Sequence, residues 1–363
     1  MTTGAAPGTV VVGAGVLGCL VARELLAADP GARVTVVDRD LVAAGASRRS
    51  AGLHFPRGAS PEVRAMAAES QRYYAELAAE RPELPIHSLG MTVVAPEHAG
   101  PALRETYLRE AALRPATAVP DGITLPAGTA AWTGDGCQYA DVPALTQALA
   151  AELRPRATFL EGVTVTGVSS DSDGARLALG TGETLSAERV VIAPGPWLAA
   201  KAWRHLVEPL GARVKKIVAL HIEEPPGERD GAIVFQDEDA FLLPYRHRGH
   251  WLFSYTCAEW DVDPDHVAPG LAPAHLAQAG ELLRRYAPRL AERCVSGRVF
   301  CDAYAPGGVP LVRPLTDDGR LVFAGAAGGS GYRLAPALSR ATVRLLLTRT
   351  PSGGGHKDRK DTT

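Results

Sequence analysis

The sequence has little cysteine: Cys19, Cys137, Cys257, Cys294 and Cys301 lie far apart in a chain of 363 residues, and no two form a Cys-x-x-Cys pair. An odd count at such spacing excludes a disulfide framework and a structural zinc centre as organising devices. An excess of one charge sign is also missing. The 38 basic residues face 40 acidic ones, a formal charge of -2, so the totals give no footprint for nucleic acid or a membrane surface. No apolar run reaches membrane-spanning length, and the N-terminus lacks the charged, apolar and small-residue regions of a secretory signal, so a cytoplasmic protein is expected. Ser-His-Asp sets, Walker loops and histidine clusters of the zinc type are absent, and no metal is expected. What is plentiful is apolar residue, 46% against 21% charged, which suits one large domain or two interleaved ones with a small partner.

A βαβ unit opens the chain. Thr9 to Val12 is a β-branched run, Val16 to Ala28 reads as a helix, and Arg33 to Val37 reads as the next strand. Composition then loosens from Ala43 to Ser60 into a small, basic loop, before a helix from Pro61 to Arg81. Short strands and turns from Gly90 to Pro96 and Ala130 to Tyr139 give an inserted look, and Val142 to Leu153 returns to helix. Ala157 to Val168, Ala175 to Leu179 and Thr184 to Ala187 read as strands, and Arg189 to Ala193 as a buried strand ending at Pro194-Gly195-Pro196. Val214 to Glu223, Ala232 to Gln236, Ala240 to Pro244 and Trp251 to Thr256 read as an antiparallel sheet, followed by a helix from Pro273 to Tyr286. The chain closes with strands Gly297 to Ala303 and Leu321 to Ala324, a turn from Gly325 to Gly331, a helix from Ala335 to Leu347, and a polar tail expected to be disordered.

Between the first strand and helix stands Gly13-Ala14-Gly15-Val16-Leu17-Gly18. In this pattern the first glycine allows the tight turn, the second lets backbone approach a pyrophosphate, and the third lets helix pack on strand. The helix N-terminus then faces the phosphates. Asp38 ends the second strand about twenty residues on, as the fingerprint expects, where a carboxylate accepts from ribose hydroxyls and disfavours a 2'-phosphate. The motif alone leaves NAD and FAD open. An NAD-linked dehydrogenase would continue βαβ, whereas this chain departs into the basic loop.

Val10 to Arg39, the loop Gly45-Ala46-Ser47-Arg48-Arg49-Ser50-Ala51-Gly52-Leu53, Val190 to Trp197 and Leu321 to Leu338 together resemble the D-amino-acid oxidase superfamily, nearest its sarcosine oxidase and glycine oxidase branch. The resemblance implies FAD and a discontinuous Rossmann-type α/β domain (1-85, 140-210 and 295-349). It also implies an interleaved antiparallel-sheet substrate domain (86-139 and 211-294), with 350-363 as the tail. Oxidation of a C-N bond beside a carboxylate follows, with hydride passing to flavin N5. It carries Ser47, Arg48, Arg49 and Ser50 over as cofactor neighbours, together with Arg39, the adenine-side backbone of Val163, and Gly195. Gly329-Ser330-Gly331-Tyr332-Arg333 corresponds to the turn along the flavin ring, and Arg333 to the basic residue holding the substrate carboxylate, here as a planar fork. Cys301 stands at nearly the spacing of the flavin-linked cysteine of monomeric sarcosine oxidases; otherwise it is a small buried hydrophobe.

One departure bears on the electron acceptor. Where sarcosine oxidases place a lysine for reaction with oxygen, this chain has Leu252, so Arg49 or Lys215 takes that role, or another acceptor replaces oxygen. Lys215 and Lys216 otherwise read as an exposed strand face. Tyr255 matches a substrate-facing position, with Tyr245, His247 and His54 as weaker candidates. The expected substrate is an amine or amino acid, and a place in secondary metabolism fits that chemistry. The rivals are an NAD-linked dehydrogenase and a non-catalytic flavin-binding subunit.

Overall fold

The computed structural model describes residues 8–267 and 270–348; the tail expected to be disordered lies outside the described residues. Thr9–Val12 lies inside a six-stranded sheet ordered Leu311–Pro314, Leu321–Gly325, Arg189–Ile192, Thr9–Val12, Val34–Asp38, Ala157–Glu161. All neighbours are parallel except Leu311–Pro314, which runs against Leu321–Gly325. Parallel strands covered on both faces need apolar residues at consecutive positions. Val10 and Val12 accordingly pack into one cluster with Ile192 and Leu177, while Val11 joins Leu25, Val191 and Leu346 in another. Helices Val16–Ala28 and Gly331–Thr348 cover the second face, and the antiparallel meander Val165–Asp171, Gly174–Leu179, Thr184–Ala187 covers the first.

An eight-stranded sheet runs Cys294–Tyr304, Arg213–Ile222, His250–Tyr255, Ala240–Tyr245, Ala232–Phe235, Met91–Pro96, Thr129–Gly134, Arg114–Pro115. Only the Ala232–Phe235 and Met91–Pro96 pair is parallel. Side chains alternate across a strand. Leu243 and Leu252 therefore share one face with Trp132 and Tyr139, whereas Leu242, Phe253 and Tyr255 pack against helix Pro273–Tyr286 on the other.

Several local expectations are corrected. The run 157–168 is two strands in different sheets, broken where Gly162 takes φ 72°. The basic loop holds a short helix, Ala46–Arg49. The last helix starts at Gly331 rather than Ala335, so the motif's Tyr332 and Arg333 lie in its first turn. Lys215 is not on an exposed face: it is 7% exposed, its ammonium 4.9 Å from the Trp260 ring and 5.6 Å from that of Tyr304. Lys216 points the other way and pairs with Glu259.

Candidate active site

The glycine turn is built around two collisions that any larger residue would make. Gly13 has φ 109°, and a Cβ there would stand 2.3 Å from the Ala193 carbonyl oxygen. One on Gly18 would stand 1.8 Å from the Gly13 carbonyl oxygen. Helix and strand approach only because both side chains are hydrogen. Gly15 precedes the helix without a side-chain cap, no acid occupies the first turn, and the Val16 amide donates to Ser47 Oγ at 3.0 Å. Leu17 packs into the neighbouring core clusters. The open amides and positive end of the helix dipole fit a dinucleotide diphosphate.

Asp38 stands at the end of its strand beside this turn. Its Oδ2 accepts from the Ala14 amide at 2.7 Å and its Oδ1 from Asp40 at 2.9 Å, while burial pushes its carboxyl above the ordinary aspartate range. The Val163 amide donates to the Asp38 carbonyl at 2.9 Å, so its proton is committed to the strand end rather than to a ligand. Arg39 makes a two-pronged pair with Asp265, at 2.6 and 3.1 Å, and lies over the Trp197 ring at 4.4 Å. The Trp197 indole donates to the same carboxylate at 2.7 Å and abuts Gly45. Gly195 takes φ 58° in the turn leading into Trp197, so Arg39, Gly195 and the start of the basic loop converge.

At the other end, Arg333 is 8% exposed and donates to the Arg57 carbonyl and, at 2.6 Å, to Ser330 Oγ. Its guanidinium lies over the Phe55 ring at 5.0 Å. Burial and then the Arg57 charge push its pKa down to about 10. Arg57 donates to Gln236 at 3.2 Å. Among the described residues neither arginine has a carboxylate partner. The Tyr107 hydroxyl, beside Arg57 through an isolated bridge, is buried with no hydrogen-bond partner among the protein groups described. His54 is fully buried, both ring nitrogens are unpartnered, and burial followed by Arg333 lowers its pKa to about 3. It is neutral at physiological pH.

The remaining predicted residues separate. The Arg49 carbonyl accepts from Arg298 at 3.1 Å, the Ser50 carbonyl from the Tyr245 hydroxyl at 3.4 Å, and Arg48 lines the same cleft as Arg49. His247 stacks on Tyr139 nearby. Tyr255 is turned away: strand alternation puts it on the helix-covered face, where its hydroxyl bonds Gln278 at 3.0 Å. Tyr332 points its ring into the core, 4.6 Å from Tyr74, leaving only its backbone for the turn. Gly329 and Gly331 face open or nearly open space, while a side chain on Gly328 would strike the Tyr304 ring. Cys301 packs with Val214 and Ala303, and burial raises its thiol to about 11. Leu252 is fully buried against Leu243.

Arg57, Phe55, Tyr107 and Gln236 are missed by the sequence pattern. Arg57 and Phe55 fall inside the basic loop, but nothing in its spacing pairs them with Arg333.

A group of Cys257, Glu259 and His275 lies apart from this site, its ligand-type atoms within 4.8 Å. His275 Nδ1 accepts from the Ala272 amide, so the ring proton sits on Nε2 and is given to Glu259 at 2.9 Å. Lys216 holds the other carboxylate oxygen. The Cys257 thiol donates to Glu259 at 3.6 Å, so the three groups are tied to one another and to Lys216.

The family signature described as DAO, FAD dependent oxidoreductase, spans residues 9–345. The chain belongs to this family. Its FAD-dependent oxidoreductase fold is shared with glycine oxidase from Geobacillus kaustophilus, at 19% identity and TM-score 0.79 over 95% of this chain and 96% of that one. L-proline dehydrogenase from P. horikoshii gives 17% identity and TM-score 0.79, covering 95% and 94%. NikD, an unusual amino acid oxidase essential for nikkomycin biosynthesis, gives 20% identity and TM-score 0.74, covering 96% and 95%. No curated protein matches the chain. No helix among the described residues is long and apolar enough to cross a membrane.

Proposed function

We propose that this member of the family oxidises a C-N bond in an amino or imino acid, a primary or secondary amine beside a carboxylate. The observation that carries the proposal is the arginine pair. Arg333, buried, and Arg57, half-buried, converge without a carboxylate among the described residues. A buried guanidinium left without a counter-charge is costly, and a planar ligand carboxylate satisfies its fork. The unpartnered Tyr107 hydroxyl offers a further donor at the same place.

FAD, when bound, supplies the acceptor for the two electrons of the C-N bond. The chain's own contribution is position. Gly13, Gly15 and Gly18 leave room for the diphosphate at the open first-turn amides of Leu17 and Gly18, with Ser47, which already holds the Val16 amide, beside them and Asp38 for ribose. Arg39, Gly195 and the backbone of Gly329 to Tyr332 line the rest, while the Val163 amide is already used. Arg333 and Arg57 fix the carboxylate, Phe55 and neutral His54 exclude water, and the substrate amine enters unprotonated. Arg49 lines the cleft with Arg48 and Arg298 and is not used here, and Tyr255, bonded to Gln278 on the helix-covered face, is not used as a substrate contact.

Cys301 is where the resemblance puts a covalent flavin bond. A buried thiol at about 11 is scarcely ionised at neutral pH, which favours FAD held without one. Acid precipitation checks this: flavin colour should appear in the supernatant, and colour in the pellet overturns it. The function itself is tested by anaerobic titration with amino and imino acids, where loss of flavin absorbance is expected. A failure to bleach with every amino and imino acid supplied would refute it.

A further inference from the structure

A second concentration of positive charge lies away from the Arg333 pocket. A cleft of about 810 Å³ opens between the loop 41–49, the start of helix Val142–Leu153 and one end of the eight-stranded sheet. Arg48, Arg49, Arg248 and Arg298 line it with His221 and Tyr245, and no carboxylate does. None of the lining residues belongs to the glycine turn, although Arg48 and Arg49 sit on the loop that the family resemblance sets beside the cofactor.

The wiring of Arg298 shows what is missing. Its Nε donates to the Arg49 carbonyl at 3.1 Å and its Nη1 meets His221 Nε2 at 2.9 Å. That geometry makes the histidine an acceptor, and burial with Arg298 nearby pushes its pKa down to about 4. Arg298 therefore spends two donors on neutral groups and keeps its charge uncompensated. Tyr245 supplies a ring face 6.0 Å from the guanidinium but no negative charge. Arg248 reaches only Asp141, at 3.8 Å, outside the lining. Among the described residues Arg48, Arg49 and Arg298 form no ion pair.

Four guanidiniums in one cleft repel each other, and a single carboxylate would leave most of that charge unanswered. A phosphate group carries about two charges and three acceptor oxygens, and arginine forks match it. We propose that the cleft is a second anion site, which takes the phosphate or diphosphate of a small phosphorylated ligand distinct from the bound cofactor. The inference stands apart from the amino-acid reading of the Arg333 pocket, because it uses different residues.

The same chemistry has two sources, the diphosphate of FAD and that of a separate ligand, and one experiment separates them. FAD-loaded protein is titrated with inorganic pyrophosphate by calorimetry while flavin absorbance reports retention. Binding without flavin release is expected. Arg248→Ala, on an exposed turn, should weaken it about tenfold, as loss of one charged hydrogen bond implies. Arg298→Gln should do at least as much; because this side chain also ties two elements together, Arg248→Ala keeps the test decisive if that variant misfolds. Absence of binding to the loaded protein, displacement of FAD by pyrophosphate, or wild-type affinity in Arg248→Ala would each overturn the proposal.

Discussion

Arg333 shows how much one residue's surroundings decide. On the sequence it is a basic residue at the end of a glycine-rich turn; in the structure it is a buried cation beside a second one. Replacing it with glutamine keeps hydrogen bonding to the Arg57 carbonyl but removes the charge. KM for an amino acid should rise about tenfold to a hundredfold, as expected for a charged hydrogen bond, with flavin content unchanged; steady-state kinetics with absorbance normalisation checks this. His54 gives a prediction in pH. Its folded pKa, about 3, lies below the unfolded value of 6.5, so the unfolded chain binds a proton that the folded chain refuses. This contribution to stability is complete above about pH 6.5 and is lost as pH falls toward 3. His54→Leu should flatten the acid side of the Tm curve between pH 7 and 4; an unchanged slope would show that His54 does not set it.

At the scale of elements, the glycine turn makes the sharpest demand. Gly18→Ala places a methyl against the Gly13 carbonyl, a backbone atom that cannot step aside alone. The variant should lose FAD on gel filtration and melt several degrees lower, a cost of about 1–3 kcal/mol. The same elements show what was legible. Val16–Ala28, with its flanking strands and terminal Asp38, could be read because local pattern and tertiary role agree there. Tyr255 could not be placed: a period of two says that neighbours face opposite ways, but not which face meets the site. Lys215 failed for a related reason, since its charge suggested solvent while Trp260 and Tyr304 cover it. The helix from Gly331 was hidden by glycines that read as turn and by tertiary support, the Tyr332 ring on Tyr74. Arg57 meets Arg333 across most of the chain, a contact no local spacing records.

For the whole molecule, the cofactor class and fold follow from the family, while the packing of the eight-stranded sheet supplies a prediction about the electron acceptor. Leu252, fully buried against Leu243, contributes no charge at its position. The reduced protein should therefore react slowly with oxygen and faster with an artificial dye acceptor; stopped-flow reoxidation in the two solutions compares them, and rapid reaction with oxygen would point to another cation. Arg39 and Asp265 tie the loop after the second strand to the segment beyond the large sheet, but both are well exposed, so the link contributes at most about 1 kcal/mol.

The order of strands in the six-stranded sheet has a consequence for biosynthesis. Thr9–Val12 is made before every other strand described, yet one of its two hydrogen-bonded neighbours is Arg189–Ile192, and the next strand outward, Leu321–Gly325, follows every strand of the eight-stranded sheet. The nascent chain must hold an incomplete apolar edge until that strand is made. Such distant pairings close slowly, so heterologous expression should gain more from cooling and holdase chaperones than from any change at the mature surface.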